Sequence, residues 1–339
     1  MKQIKTEDAV GQVLCHDLTQ IIPGVYKGAR FRKGHVVTRE DVPVLLSMGK
    51  EHLYVWELQP GMLHEDEAAD RLCRLCESEG MLRSELREGK LELRAAYDGL
   101  FQVDSPRLHA VNAIDELMIA TRRGNTAVKA GDKLCGTRVI PLVIDEKKLV
   151  QAEAAAGSEP LLRLLPYKLK RCAVLTTGNE VKTGRIQDKF TPVLIQKLGA
   201  YGISVTYHEL TGDGIENVCQ AIDRARAQKP DLILCTGGMS VDADDNTPGA
   251  IRRSGARIVT YGAPVLPGAM FLLGYFHDGT PILGLPGCVM YAKATVFDLV
   301  LPRIAAGVAL EKEDFTVMGE GGLCLGCDPC QYPICPFGK

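Results

Sequence analysis

No excess of either charge marks this chain. Its 40 Lys and Arg stand against 42 Asp and Glu, a formal net charge of -2. That balance gives no reason to expect a nucleic-acid partner or the work of an acidic tail. No uninterrupted apolar run approaches the roughly 20 residues of a membrane span, and the N-terminus, Met1-Lys-Gln-Ile-Lys-Thr-Glu-Asp8, has no apolar signal core. The expectation is a protein without a membrane partner, located in the cytoplasm. Low-complexity tracts are absent. With 46% hydrophobic residues over 339 positions, the chain has material for two or three folded domains.

Cysteine, by contrast, is plentiful. Eight of the twelve are scattered (Cys15, Cys73, Cys76, Cys135, Cys172, Cys219, Cys235, Cys288), mostly in apolar segments. They read as small buried hydrophobes. Cys73 and Cys76 share a two-residue spacing but fall in a predicted helix, where they read as core. The other four, Cys324, Cys327, Cys330 and Cys335, crowd into the C-terminal end. Their C-x2-C-x2-C-x4-C-P spacing approaches the bacterial ferredoxin run. Four thiolates suit an Fe–S cluster or a structural Zn²⁺ better than a cytosolic disulfide pair. The alternative is a flexible tail of free thiols.

The pattern divides the chain into residues 1–166, 167–309 and 310–339. The first region is α+β. Short β-like runs precede a helix over Arg39–Met48 and a strand over Leu53–Trp56. An amphipathic helix is predicted over 64–80 and a second long one over 105–123, with Ile114, Leu117 and Met118 in its core; β character returns over Gly131–Ile144. From Tyr167 onward strands and helices alternate. Strands are predicted at Cys172–Thr176, Ile203–Tyr207, Leu232–Cys235, Arg257–Val259 and Pro281–Gly284. Helices are predicted at Phe190–Gly202, Ile215–Gln228, Pro248–Ser254 and Tyr291–Ala305. Such alternation predicts a doubly wound, mostly parallel α/β sheet. Ligands of such sheets bind at the carboxyl ends of the strands.

Those ends are chemically marked. They read Thr176-Thr-Gly-Asn-Glu180, Leu210-Thr-Gly-Asp213, Thr236-Gly-Gly238 and Leu285-Pro-Gly287. The segment Thr236–Ala250 holds the pair Gly237-Gly238, three aspartates (Asp242, Asp244, Asp245) and a helix start that Thr247 caps, with Pro248 at the first helical position. Glycines let an anion approach the backbone, helix N-termini offer N–H donors, and carboxylates hold Mg²⁺ against a phosphate. Glu180, Asp213 and Asp245 are the candidate acids; Asp242 and Asp244 read as solvated. The competing reading makes these acids loop and cap residues.

The motifs of residues 168–309 resemble the molybdopterin-binding domain shared by MoeA-type molybdopterin molybdotransferases, the gephyrin E domain, Mog-type adenylyltransferases and the CinA family. The resemblance rests on Thr177-Gly-Asn-Glu180, Gly237-Gly-Met-Ser-Val241 followed by Asp245, and Leu285-Pro-Gly287 with the helix ending Val300-Leu-Pro-Arg303. Val10–Asp17, Phe31–Val37 and Lys129–Arg138 are similar, more weakly, to MoeA-type N-terminal domains, whereas Asp245-Asn-Thr-Pro-Gly-Ala-Ile251 looks more like the Mog and CinA continuation. The chain departs from the MoeA pattern in several places. Leu266-Pro-Gly-Ala-Met270 stands where two lysines are usual, Cys288-Val289 replaces Asn-Pro, and Phe190 replaces an Asn. The residues after Gly307 are too few for the usual β-barrel domain.

The resemblance implies a role in molybdenum cofactor biosynthesis: a MoeA-like molybdotransferase binding molybdopterin or its adenylate, with Mg²⁺ and molybdate, as a homodimer. It implies catalytic or metal-site roles for Glu180, Asp213 and Asp245. Thr177, Gly178, Asn179, Gly237, Gly238, Met239, Ser240, Pro267, Gly268, Pro286 and Gly287 would line the cofactor site. Two alternatives follow. One is a non-catalytic cofactor-binding or maturation protein that docks to a molybdoenzyme. The other is a CinA-like nucleotide pyrophosphatase. His16, His35 and His109 read as structural or solvated. Lys27, Arg30, Arg32 and Lys33 form a basic patch, read as a solvated face or as an arm reaching a partner's pterin site.

Overall fold

The computed structural model describes residues 2–55, 60–240 and 245–339. Trp56, Val241, Asp242 and Asp244 therefore lie outside the described residues. The chain divides into two units. One comprises residues 1–97, 101–124 and 129–164; the other comprises 98–100, 125–128 and 165–339. The stretch 310–339 thus packs within the second unit.

The N-terminal unit is built from small antiparallel sheets. Lys2–Lys5 pairs with His52–Val55, and Leu18–Ile22 with Tyr26–Phe31. A four-stranded sheet takes the order Met81–Arg83, Lys90–Ala95, Lys133–Val139, Leu117–Thr121. Helices cover Asp41–Ser47, Glu65–Cys76, Ser105–Asn112 and Glu146–Ala156. The last of these was not expected from the sequence. The long helix expected over 105–123 is corrected. It stops at Asn112 and the chain turns into the strand Leu117–Thr121. Glu116 lies at φ 74, which ends a right-handed helix, and the Asn112 side chain bonds both the N–H and the C=O of Ile119 at 2.9 Å. Leu117 and Ile119 are buried while Met118 is exposed, the period-two pattern of a strand.

The second unit contains a six-stranded sheet. In chain order its strands are β1 (Arg171–Thr177), β2 (Ser204–Thr211), β3 (Leu232–Thr236), β4 (Arg257–Tyr261), β5 (Leu272–Tyr275) and β6 (Pro281–Leu285). Their spatial order is β2-β1-β3-β6-β5-β4. Pairs β2–β1, β1–β3 and β3–β6 are parallel, and β5 runs against both its neighbours. The doubly wound, mostly parallel sheet expected from the alternation is present; β5 is the strand the sequence pattern did not show. The helices are α1 (Asn179–Lys182), α2 (Phe190–Gly199), α3 (Ile215–Ala227), α4 (Thr247–Arg253), α5 (Val296–Ala305) and α6 (Lys312–Thr316).

Strand alternation splits the core in two. Cys172 and Val174 pack with Leu194 and Leu198 of α2 and with Val300, Leu301 and Ile304 of α5. Ala173 and Leu175 pack with Val218, Ala221 and Ile222 of α3 and with Ala250 and Ile251 of α4. Each face of the sheet is therefore covered by helices, as parallel strands require. The closing helix begins at Val296 rather than Tyr291. Thr295 and Asp298 form a capping box there, with Phe297 N donating to Thr295 Oγ1 at 3.2 Å and Thr295 N to Asp298 Oδ2 at 2.8 Å.

The cysteines outside the tail follow the expectation of buried thiols. Six are buried, and Cys219 and Cys288 are half-buried. In the tail, Cys324 and Cys335 pack against the main core beside Tyr332, whereas Cys327 and Cys330 are exposed.

Candidate functional site at the strand switch point

The connection from β1 leads to β2 on one side, and the connection from β3 leads to β4 on the other. Strand order therefore reverses between β1 and β3, the place where open α/β sheets form a crevice. Buried threonines line this junction. Thr177 Oγ1 donates to Thr236 O at 3.2 Å and lies 3.4 Å from Thr247 Oγ1. Thr247 Oγ1 donates to Gly237 O at 2.8 Å, and Thr247 N to Gly238 O at 3.2 Å. Thr247 is thus the first residue of α4 rather than its cap, because its hydroxyl is spent clamping the glycine loop.

The paired glycines are demanded by this packing. Gly237 has φ 82, and a Cβ there would lie 2.4 Å from the carbonyl oxygen of Thr177. Gly238 has φ 57, and its Cβ would meet Thr247 Oγ1 at 2.8 Å. Met239 turns inward, its thioether seated where a side chain on Gly284 would be, and is core. Ser240 is exposed next to it.

The β1 and β2 ends are stitched reciprocally. Asn179 N donates to Asp213 Oδ2 at 3.0 Å, and Asp213 N donates to Asn179 Oδ1 at 3.3 Å. Gly178 N reaches Thr211 O at 3.1 Å. Asp213 thus serves as a cap for α1, the competing role weighed for it. Glu180 is exposed on α1 and folds back toward Gly178, whose Cβ would fall 2.7 Å from Glu180 Oε1. Asp245 is half-buried just before α4. Among the described residues no three His, Cys, Asp or Glu side chains group as metal ligands, either here or in the tail.

The opposite wall comes from two loops. Pro267-Gly268 precedes β5, which runs against its neighbours, so this loop reaches the same edge as the parallel strand ends. Gly268 sits at φ 130 against Val296, where a Cβ would meet Val296 Cγ1 at 2.6 Å. Pro286-Gly287 follows β6, and nothing lies within 4 Å of a Cβ built on Gly287. That open space sits directly at a strand end.

One cluster was missed by sequence reasoning. Asp188 Oδ1 accepts from Phe190 N at 2.8 Å and Thr191 N at 3.2 Å, which caps α2. Its Oδ2 accepts from Thr191 Oγ1 at 2.6 Å and lies 3.2 Å from His208 Nε2. The same His208 nitrogen is 3.3 Å from Thr176 Oγ1, and Thr236 Oγ1 lies 3.3 Å from Thr176 Oγ1. Burial pushes the Asp188 pKa up, but bonds from Thr191 and Phe190 and the nearby His208 hold it net below the ordinary carboxylate value. An Asp two residues before a helix is a cap signal; nothing local marked His208.

A separate cavity of about 880 Å³ opens at the other edge of this sheet, beside Asp231, Arg257 and His277. It lies where strands begin, away from the helix N-termini and glycine loops, so the switch-point crevice remains the candidate site.

The second unit is therefore a doubly wound α/β domain with a threonine- and glycine-built crevice at its switch point. Residues 173–306 match the family model described as "Probable molybdopterin binding domain", and residues 3–57 match that of a domain of unknown function. The chain is 37% identical over 81 residues to a CinA-like protein of Desulfosudis oleivorans, covering 24% of this chain and 19% of that protein. It is 33% identical over 88 residues to a competence-damage inducible protein of Bacillus cereus, covering 26% and 21%. The chain thus spans about a fifth of the length of the curated relatives it matches. Among solved structures, MoaB of Thermus thermophilus is similar at 21% identity and a TM-score of 0.34, covering 42% of this chain and 99% of that one. A CinA protein of Thermoplasma acidophilum aligns at 18% identity and a TM-score of 0.35, covering 40% and 98%. No helix among the described residues is long and apolar enough to cross a membrane.

Proposed function

We propose that the second unit binds molybdopterin, or its adenylate, in the switch-point crevice and serves molybdenum cofactor biosynthesis. The observation that carries this reading is the match of residues 173–306, which include the strand ends of the β1–β3 crevice, to the family model described as "Probable molybdopterin binding domain". Open space at Gly287 leaves room for a ligand, and Lys182 stands close to Gly212 as a cation for a phosphate. Thr177, Gly178, Gly237, Gly238 and Ser240 form the near wall of the proposed site, with Pro267, Gly268, Pro286 and Gly287 opposite. Molybdotransfer with Mg²⁺ and molybdate, as a homodimer, is the finer form of the proposal. For it Glu180 and Asp245 remain candidate Mg²⁺ ligands, while the carboxylate of Asp213 is engaged by the amide of Asn179. Leu266-Pro-Gly-Ala-Met270 offers no lysine to neutralise an anion, which favours the second reading of a cofactor-binding or maturation protein. The CinA-like relatives favour a third, nucleotide pyrophosphate cleavage.

Anaerobically purified full-length protein, titrated calorimetrically with molybdopterin, its adenylate and AMP, tests these readings. Binding of either pterin species is expected. AMP release that requires molybdate and Mg²⁺ supports transfer; tight binding without turnover supports the second reading. Dinucleotide hydrolysis without any pterin binding overturns the proposal in favour of the third. Metal analysis of the same preparation tests the four-thiolate tail centre, with Fe and sulfide or Zn²⁺ expected and lost in C324S/C335S.

A further inference from the structure

The N-terminal unit holds a cavity of about 870 Å³, within the size range of small-molecule sites. Its floor is acidic. Glu65 opens the helix Glu65–Cys76, is only 7% exposed and lines the cavity. Among the described residues, no hydrogen bond or ion pair reaches its carboxylate. Its oxygens are not among the sealed, unpartnered polar atoms, so they open to the cavity, where a donor on a ligand can reach them. Its neighbours are already engaged. Asp66 pairs with Lys33 and accepts from Gly89 N at 3.2 Å. His64 Nε2 donates to Cys15 O at 2.6 Å, and its Nδ1 accepts from Asp66 N at 3.1 Å. The hairpin turn at Glu88-Gly89, with φ 50 and 65, lies across Glu65; a Cβ on Gly89 would fall 2.7 Å from Glu65 Oε2.

The rest of the lining is mixed: Asp17, Glu85 and Glu88 lie there too, but they accept from Lys33 N at 2.7 Å, pair with Arg87 at 2.6 Å and accept from Thr19 Oγ1 at 3.2 Å respectively. Lys27 and Arg32 line the cavity as well, and among the described residues no hydrogen bond or ion pair reaches either side chain. Burial raises the Glu65 pKa, with Asp66 and Glu88 adding to the shift and Arg138 and Lys33 opposing it. Among the described residues, the cations without a partner, Lys27 and Arg32, and the acid without one, Glu65, together fit a bipolar occupant with an anionic end and an N–H-bearing end. We propose that this cavity binds a small phosphate ester of nucleotide size, its phosphate held by Lys27 and Arg32 and an N–H donor of its head group bonded to Glu65. The proposal does not depend on what the second unit binds.

Hydrogen-exchange mass spectrometry on the full chain, with AMP, GMP, CMP, adenosine and inorganic phosphate as probes, tests it by location. At least one nucleotide is expected to protect residues 16–33 and 85–89 more than adenosine or phosphate does. Equilibrium dialysis should show about tenfold or greater weakening in K27A/R32A, where both altered side chains are exposed and the fold is checked by circular dichroism. E65Q should weaken the nucleotide but leave phosphate binding unchanged. No protection at millimolar nucleotide overturns the proposal. So does protection confined to residues 176–180 and 236–240, or protection that persists in K27A/R32A.

Discussion

Gly237 and Gly238 are adjacent and both adopt positive φ, yet they are not equivalent. A Cβ on Gly237 meets a backbone carbonyl held in the β1 ladder, whereas a Cβ on Gly238 meets the hydroxyl of Thr247. The first contact cannot yield without moving a strand; the second can relax by a rotamer change. Gly237→Ala is therefore expected to destabilise the second unit by about 2–4 kcal/mol, and Gly238→Ala by about 1–2 kcal/mol. Urea unfolding followed by a probe in that unit measures both. Equal effects would remove the argument that strand approach, rather than ligand access alone, demands the glycines.

At the scale of elements, Asp188 joins three pieces: the N-terminus of α2, the end of β1 through Thr176, and β2 through His208. Asp188→Ala should cost about 1–2 kcal/mol as a lost cap, and His208 should lose its carboxylate partner. Because the folded pKa of Asp188 lies below its ordinary 3.8, its contribution is present above that value. It is lost as pH falls through the lower, folded pKa. Wild type and Asp188→Ala should therefore converge in stability toward strongly acidic pH, as read from denaturation midpoints between pH 2 and 6. A difference that stays constant over this range would contradict the ionised cap.

Over the whole molecule, each unit has its own apolar clusters, so each should report its own pH dependence. Glu65 has its pKa raised from 4.5 to about 7, by burial first and by Asp66 second. Its contribution is fully present below the unfolded value and is lost as pH rises through the folded one. The N-terminal unit should thus lose on the order of 3 kcal/mol from this group across that window. His16 and His64 slope the other way, since burial lowers their pKa values and charging them at low pH disfavours the fold. The difference between wild type and Glu65→Gln isolates the carboxyl. Amide exchange of core residues such as Leu14 and Leu53 from pH 4.5 to 7.5 reads it out, and second-unit amides such as Leu234 should not follow.

The sequence by itself determined five of the six strands of the second unit's sheet and its mostly parallel character, but not β5. Short apolar runs such as Leu232–Cys235, bounded by turn residues and alternating with helical patterns, read as strands covered on both faces, and glycines punctuate their carboxyl ends. It also marked the residues that meet there, Thr177, Gly237 and Gly238 among them. Only the tertiary structure decided what each does, because the deciding contacts join residues far apart in the chain. Asp213 accepts from the Asn179 amide with a carboxylate oxygen, Thr247 donates its hydroxyl to Gly237 O of the glycine loop, and Met239 fills the space over Gly284 with its thioether. The false helix over 105–123 failed for the same reason, since the Asn112–Ile119 clamp is invisible to periodicity. Glu65 is the sharpest instance. It reads as an ordinary acid at a helix start, and its burial depends on a hairpin turn folding across it from later in the chain.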